Sequence, residues 1–489
     1  MRRPAQAVVV LVTLLLVLPA SAQAQRVVEQ FQSPDLAQKA RLADLGEGLR
    51  LEGVPLGPDK APHSLELRRI RVFAPGAQVV VHSDDGEEIL PAPNNAYFRG
   101  YVEGMTRSRA FLTVRANGQV RGLIGDGGRY WMLHMDEVAK GFGPLTVHEI
   151  DATTAFAEKI AGFECENEKH LGGGPVDLFE RPLATLPRPS SAKGTSVDYT
   201  ARVAVETDFE YYNQFGNSTD ATDYIGDVFG FMSGIYEDEV ATSIYVSHVS
   251  LWSTAADPWD ETGSSCALFE FGKYWNDNNG GIDRTIAHLF SGKSSNAGVA
   301  WVGVLCHPGA TQTVSVASCS TLTNPTSNYV GGYGFTGGID GIFNPNNPTV
   351  IWDIIGTTHE VGHNFDSPHT HCYVGQAGAS SNIDECFGTQ TNCFSGTPTL
   401  PAGCPGTGQG CGTIMSYCHL TFSGGLSNIA FSLGEGHPYG DQPERVPARM
   451  SSHVISEAAQ HPGCLDLVGT IFSDGFESGD TTSWTSEGP

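Results

Sequence analysis

The sequence predicts an α/β (α+β) domain, a mixed sheet with helices, preceded by a β-rich domain. Three observations predict it. Residues 26–164 alternate apolar and polar side chains in short runs broken by Gly, Pro, Asn and Asp, the period-two signature of half-buried strands. Residues 172–196 are crowded with Gly, Pro and Ser, a composition that links domains and invites proteolysis. From Tyr199 onward, strand-like runs alternate with runs of helical periodicity. The 489 residues allow two to four domains at roughly 100–200 residues each.

Within the first region, strands are expected at 64–73, 78–82, 110–114, 119–124 and 130–133. Turns are expected at Asn117–Gly118 and at 126–128, where Asp and Gly favour tight reversals. In the second region, strands are expected at 199–207, 242–252, 285–289 and 299–305. Helices are expected at 219–240, with Ser218 as candidate N-cap, and at 266–275, 352–365 and 443–460. The tail from 470 is rich in Ser, Thr, Gly and Asp and has few large apolar residues.

The first residues read as a signal peptide. Arg2 and Arg3 precede an apolar run at 8–18, and small residues alternate at 20–24. The run is too short for a membrane span. A soluble exported protein is expected, extracellular or passing through a periplasm, with no membrane partner once the signal is removed. Export makes the 11 cysteines readable as disulfides. Ten of them follow residue 195 and make five bridges; Cys165 is left over.

The net charge of −26 repels phosphate backbones, which excludes nucleic acid as a partner. The charge is uneven. After residue 194 there are 31 acidic and six basic residues, so almost the whole excess lies there. That acidity suits solubility, cationic substrates or a calcium ion, although the chain has no EF-hand loop.

The strongest chemical signal is His359, Glu360, His363 and His369. Two His at i and i+4 share one helical face and reach one ion. Zinc favours nitrogen ligands and keeps one position open for water at catalytic sites. Glu360 stands beside the first ligand and is placed to take a proton from that water, whose pKa the metal lowers. His369 offers a third imidazole if the helix stops first, and Pro368 agrees with a helix that has stopped. Downstream, Met415 lies in a Cys-flanked turn at 411–418.

An HExxH motif extended to a third His and followed by such a Met resembles the metzincin zinc peptidases, and among them the reprolysin (adamalysin, ADAM-like) group. Residues 298–306 and 251–253 are similar to strands of that group, and 97–104 with 120–124 resemble its propeptide; the likeness spans roughly residues 60–465. It implies a twisted mixed sheet over an active-site helix, a cleft, and a disulfide-rich lower subdomain. It implies one catalytic zinc on His359, His363 and His369, Glu360 as general base, and Met415 as an apolar floor. The strand at 298–305 would pair with extended substrate. The organisation is then a signal peptide (1–24), a β-rich propeptide (25–171), a linker with a processing site (172–196), a zinc metallopeptidase domain (197–468) and a flexible tail (469–489).

The expected protein is a secreted zinc endopeptidase made as a zymogen, a monomer acting on proteins or peptides. The alternative is a non-catalytic binding or adhesion protein on the same fold; the presence of Glu360 and every ligand weighs against it. Some residues keep more than one reading. Asp366 stands where the family has Gly, so Asp366, and also His371, compete with His369 as third ligand. Tyr417 is either an oxyanion-stabilising group or a rim aromatic. Cys165 is a thiolate switch on the zinc, an unpaired thiol or a bridge between two chains. His248, His288, His307, His419, His437 and His453 have no ligand spacing and read as core or surface residues.

Overall fold

The computed structural model describes residues 27–31, 36–57, 59–139, 141–152, 198–293, 297–307, 309 and 313–467. The expected signal peptide, the linker, Cys165 and the tail lie outside them.

Among the described residues, ten strands precede residue 153: β1 (Val27–Phe31), β2 (Gly48–Leu56), β3 (Ala61–Ile70), β4 (Phe73–Ser83), β5 (Gly86–Pro91), β6 (Ala96–Val102), β7 (Ser108–Val114), β8 (Val120–Asp126), β9 (Arg129–Val138) and β10 (Gly141–Ile150). Eight of them form one sheet, in the order β1-β10-β9-β8-β7-β6-β3-β2. Both expected turns are present. Val114 pairs with Val120 around Gly118, at φ +93°, and Asp126 pairs with Arg129 around Gly127, at φ +62°. Alternation sends Phe98, Leu112, Ile124, Trp131 and Val147 to one face, where the short helix Leu36–Leu42 helps to close a core. Tyr97, Phe111, Leu123, Tyr130 and Met132 point the other way, into the core of the second half of the chain.

The second sheet adds β11 (Tyr199–Thr207), β12 (Thr242–Trp252), β13 (Ile286–Phe290), β14 (Gly298–Ala300) and β17 (Tyr333–Thr336), in the order β14-β17-β13-β11-β12-β4-β5. The short β18 (Leu465–Leu467) pairs with β11, and β15 (Thr313–Val314) with β16 (Thr326–Ser327) forms a separate hairpin. Strands β4 and β5 come from the N-terminal region. Strand β4 pairs parallel to β12, Val249 opposite Val79, so the sheet of the second half is completed by the first.

A long helix, Ser218–Val240, lies between the two sheets and is buried along nearly its whole length. Its N-cap is Asn217, whose side chain accepts from the Asp220 N–H, one residue before the expected Ser218. The acids of this helix face arginines of the first sheet. Arg115, 2% exposed, pairs with Asp220 (3.1 Å), Asp223 (3.5 Å) and Asp227 (3.2 Å). Arg99 binds Glu237 and Asp238, and Arg109 binds Asp238 and Glu239. Part of the acidic excess is thus matched inside the molecule.

A second helix, Val350–Asn364, is buried at every residue, and a last helix spans Arg445–Gln460. The strand expected at 299–305 stops at Ala300. Gly303 (φ +66°) and Cys306 (φ +62°) bend the chain, and the Gly303 and Val304 N–H groups donate to the carbonyls of His363 and Asn364. All ten cysteines beyond residue 195 pair: Cys266–Cys319, Cys306–Cys464, Cys372–Cys393, Cys386–Cys418 and Cys404–Cys411. Three bridges staple the segment 372–418, which has little regular structure. Among the described residues, no helix is long and apolar enough to cross a membrane.

Glu206 on β11 accepts from the indole N–H groups of Trp252 (2.7 Å) and Trp275 (3.0 Å). Burial outweighs those donors and lifts its carboxyl to about 8. The native state therefore holds a proton that the unfolded chain releases near pH 4.5. This group's contribution to stability should fall as pH rises from about 5 to 8. In Glu206→Gln, less stable overall because its amide NH2 faces an indole N–H, that part of the slope should vanish; thermal unfolding across this range, compared between the two chains, measures it.

Candidate metal centre

His359 and His363 sit one turn apart on the Val350–Asn364 helix. The helix stops at Asn364; Asp366 takes φ +75° and the chain turns back to bring in His369. Each ring is held by its Nδ1. His359 Nδ1–H donates to the Ile414 carbonyl (2.8 Å), His363 Nδ1–H to the Ser367 carbonyl (2.7 Å), and His369 Nδ1–H to Gln390 Oε1 (2.9 Å). This fixes the tautomer and leaves each Nε2 with a lone pair. The Nε2 atoms of His363 and His369 face each other at 3.2 Å, and one ligand atom from each of the three rings falls within 4.8 Å of the others.

All three rings are buried. Burial, followed by the neighbouring imidazoles, depresses His363 to about 3 and drives His369 well down; burial also takes His359 to about 4. The rings are neutral at physiological pH. Two lone pairs opposed at 3.2 Å, with the buried His359 Nε2 finding no hydrogen-bond partner among the described residues, are the arrangement that a cation resolves. The residues present fit a zinc ion.

Glu360, fully buried, lies against Gly298 on the edge strand β14; a Cβ at 298 would overlap its carboxylate. Gly298→Ala should therefore displace that carboxylate. Misplacement by about 1 Å costs on the order of 100-fold, so kcat in a peptide assay should fall by about that factor with the fold intact by circular dichroism.

Residues 197–425 match the family model Reprolysin_5, described as metallo-peptidase family M12. That segment is a metallopeptidase domain of family M12. No curated relative matches the chain. Among solved structures, metalloproteinase-II from Bacteroides fragilis is similar at 14% identity, over 73% of this chain and 87% of that one, with a TM-score of 0.34. A chain from a chaperone–substrate complex is similar at 10% identity, over 57% and 35%, with a TM-score of 0.24.

Around the metallopeptidase triad, Met415 is fully buried with its sulfur against Gly362, where a Cβ would overlap it. The turn that carries it supplies the Ile414 carbonyl to His359 and its own carbonyl to the Thr370 N–H. The Tyr417 hydroxyl reaches His369 Nε2 at 2.9 Å, on the lone-pair side of the ring. Asp366 turns elsewhere: its carboxylate pairs with Arg449 at 2.8 Å on the last helix. His371 hydrogen-bonds Gln390 Oε1 at 2.5 Å and stacks behind His369. The geometry that gathers three rings thus includes His369 and neither competitor. Sequence reasoning missed Gln390, which orients His369 from inside the Cys372–Cys393 loop; no local motif marks it.

Proposed function

We propose that this metallopeptidase is a zinc endopeptidase, exported and made as a zymogen. The observation that carries the reading is the convergence of three neutral imidazole Nε2 atoms beside the Glu360 carboxylate, next to an edge strand. His359, His363 and His369 hold the metal through Nε2. Zinc at that point supplies Lewis acidity, polarising a peptide carbonyl and acidifying a water molecule.

Glu360 accepts the proton of the attacking water and passes it to the departing amine. The Tyr417 hydroxyl, on the same side of His369, is placed to donate to the oxyanion as charge develops. Strand β14 is the edge of its sheet, and its backbone offers pairing to an extended peptide, which binds chain in preference to sequence. Met415 keeps the floor under the rings apolar.

The five side chains of the site are each at most 3% exposed, which suits a latent form that opens on processing between the two halves. Casein hydrolysis by the processed chain tests the function. Activity should vanish with a chelator and return with Zn2+; equal activity in zinc-free protein would refute the metal's role. The uncut chain should be inert. Cys165→Ser separates a thiolate switch from simple covering: a switch predicts activity without cleavage, covering predicts continued latency.

A further inference from the structure

We propose a second zinc site, formed by His307, Glu457 and His461, that braces the end of the active-site helix. Glu457 lies on the last helix and is fully buried. His453 and His461 stand four residues before and after it, on the same face. His307 comes from the chain that follows β14. Its neighbour Cys306 is bridged to Cys464, just past the last helix, and this brings the two segments together.

The distances carry the argument. Glu457 Oε2 is 3.4 Å from His307 Nε2 and 3.4 Å from His461 Nε2. His453 Nδ1 is 3.6 Å from Oε1, on the other side of the carboxylate. One ligand atom from each of His307, Glu457 and His461 falls within 4.8 Å of the others. A hydrogen bond between imidazolium and carboxylate closes to about 2.7–2.9 Å; these contacts are longer. Ligand atoms on a tetrahedral ion with bonds of about 2.0–2.1 Å stand about 3.3–3.4 Å apart. The triad shows nearly the same separation, 3.2 Å between His363 and His369.

Two imidazoles and a carboxylate select a borderline divalent ion and make calcium, which takes about six to eight oxygens, a poor occupant. Entry is open: the His307 and His461 side chains are 15% and 36% exposed, while Glu457 is fully enclosed. A cation there also compensates a carboxylate that is costly to bury.

The brace acts on the active site through the backbone. Four and three residues before His307, the chain delivers the Gly303 and Val304 N–H groups to the carbonyls of His363 and Asn364. Zinc at this site fixes the loop that caps the helix bearing two catalytic ligands.

The test uses the full chain carrying Glu360→Gln, which prevents self-digestion, with bound zinc counted by plasma mass spectrometry after dialysis. Two zinc ions per chain are expected. His307→Ala with His461→Ala should leave one, and the single, partly exposed His461→Ala guards against misfolding of the pair. His359→Ala with His363→Ala should also leave one, and added Zn2+ should raise the thermal midpoint of that chain. A folded triad-deficient chain without zinc, or a His307/His461-deficient chain with two, would overturn the proposal. Failure of the catalytic reading looks different: the His307/His461-deficient chain would then hold none.

Discussion

Glu360→Gln should lower kcat for casein or a quenched peptide by about 100- to 10,000-fold, the range of general acid–base catalysis, with zinc content and thermal midpoint unchanged. Gln has the shape of Glu, so it fits the space over Gly298 where any larger change would collide. The three imidazoles are held by Ile414, Ser367 and Gln390, none of which depends on Glu360. What the substitution removes is a proton acceptor. The loss should therefore fall on kcat and leave KM nearly untouched. A folded, zinc-replete variant retaining a tenth or more of the parent rate would remove Glu360 from the reaction.

The largest effect on stability is expected at Arg115. Its guanidinium is buried among Asp220, Asp223 and Asp227. Asp223 also accepts from Asn95, and Asp227 from Thr113, so these carboxylates are anchored and cannot turn to solvent. Removing the cation leaves buried negative charge uncompensated, which costs about 3–5 kcal/mol. Burial already raises the Asp223 carboxyl to about 6, against the pull of Arg115. The sign with pH follows. Below about 6 Asp223 takes up a proton and the penalty for losing Arg115 shrinks; above it the carboxylate is charged and the penalty is full. Urea unfolding of Arg115→Ala at pH 5 and pH 7.5 should show the larger deficit at the higher pH. Equal deficits would mean that packing of the aliphatic stem, rather than charge, is what the arginine supplies.

Local patterns carried much of the fold. Strands β11 and β12 begin and end where alternation places them, and the helix bearing the HExxH motif runs two residues earlier at its start and one shorter at its end. The proximity of His359, His363 and His369 was legible because helix geometry alone puts two of them together, and Pro368 agrees with a helix that stops before the third. The partnership of β4 was not legible: its alternation says strand, but nothing local says which sheet. The run at 299–305 is apolar enough for a strand, yet capping of a helix end by Gly303 and Val304 overrides it. The third-ligand question needed Arg449, 83 residues from Asp366, to settle where the carboxylate turns. His307 looked solitary because Glu457, 3.4 Å from it in the fold, lies 150 residues away along the chain.

The crossing of β4 into the peptidase sheet has a consequence for making the enzyme. A polypeptide beginning at residue 198 would leave the outer side of β12 bare between Val246 and Trp252, where β4 pairs, exposing alternate backbone donors and acceptors on a largely apolar strand. Such an edge is a template for sticking to other chains. The N-terminal piece thus completes the sheet of the second half, and folding should require it whether it is supplied in the same polypeptide or added separately. Severing the connection between the halves would leave a nicked molecule in which two strands of the older piece remain stitched into the newer one's sheet.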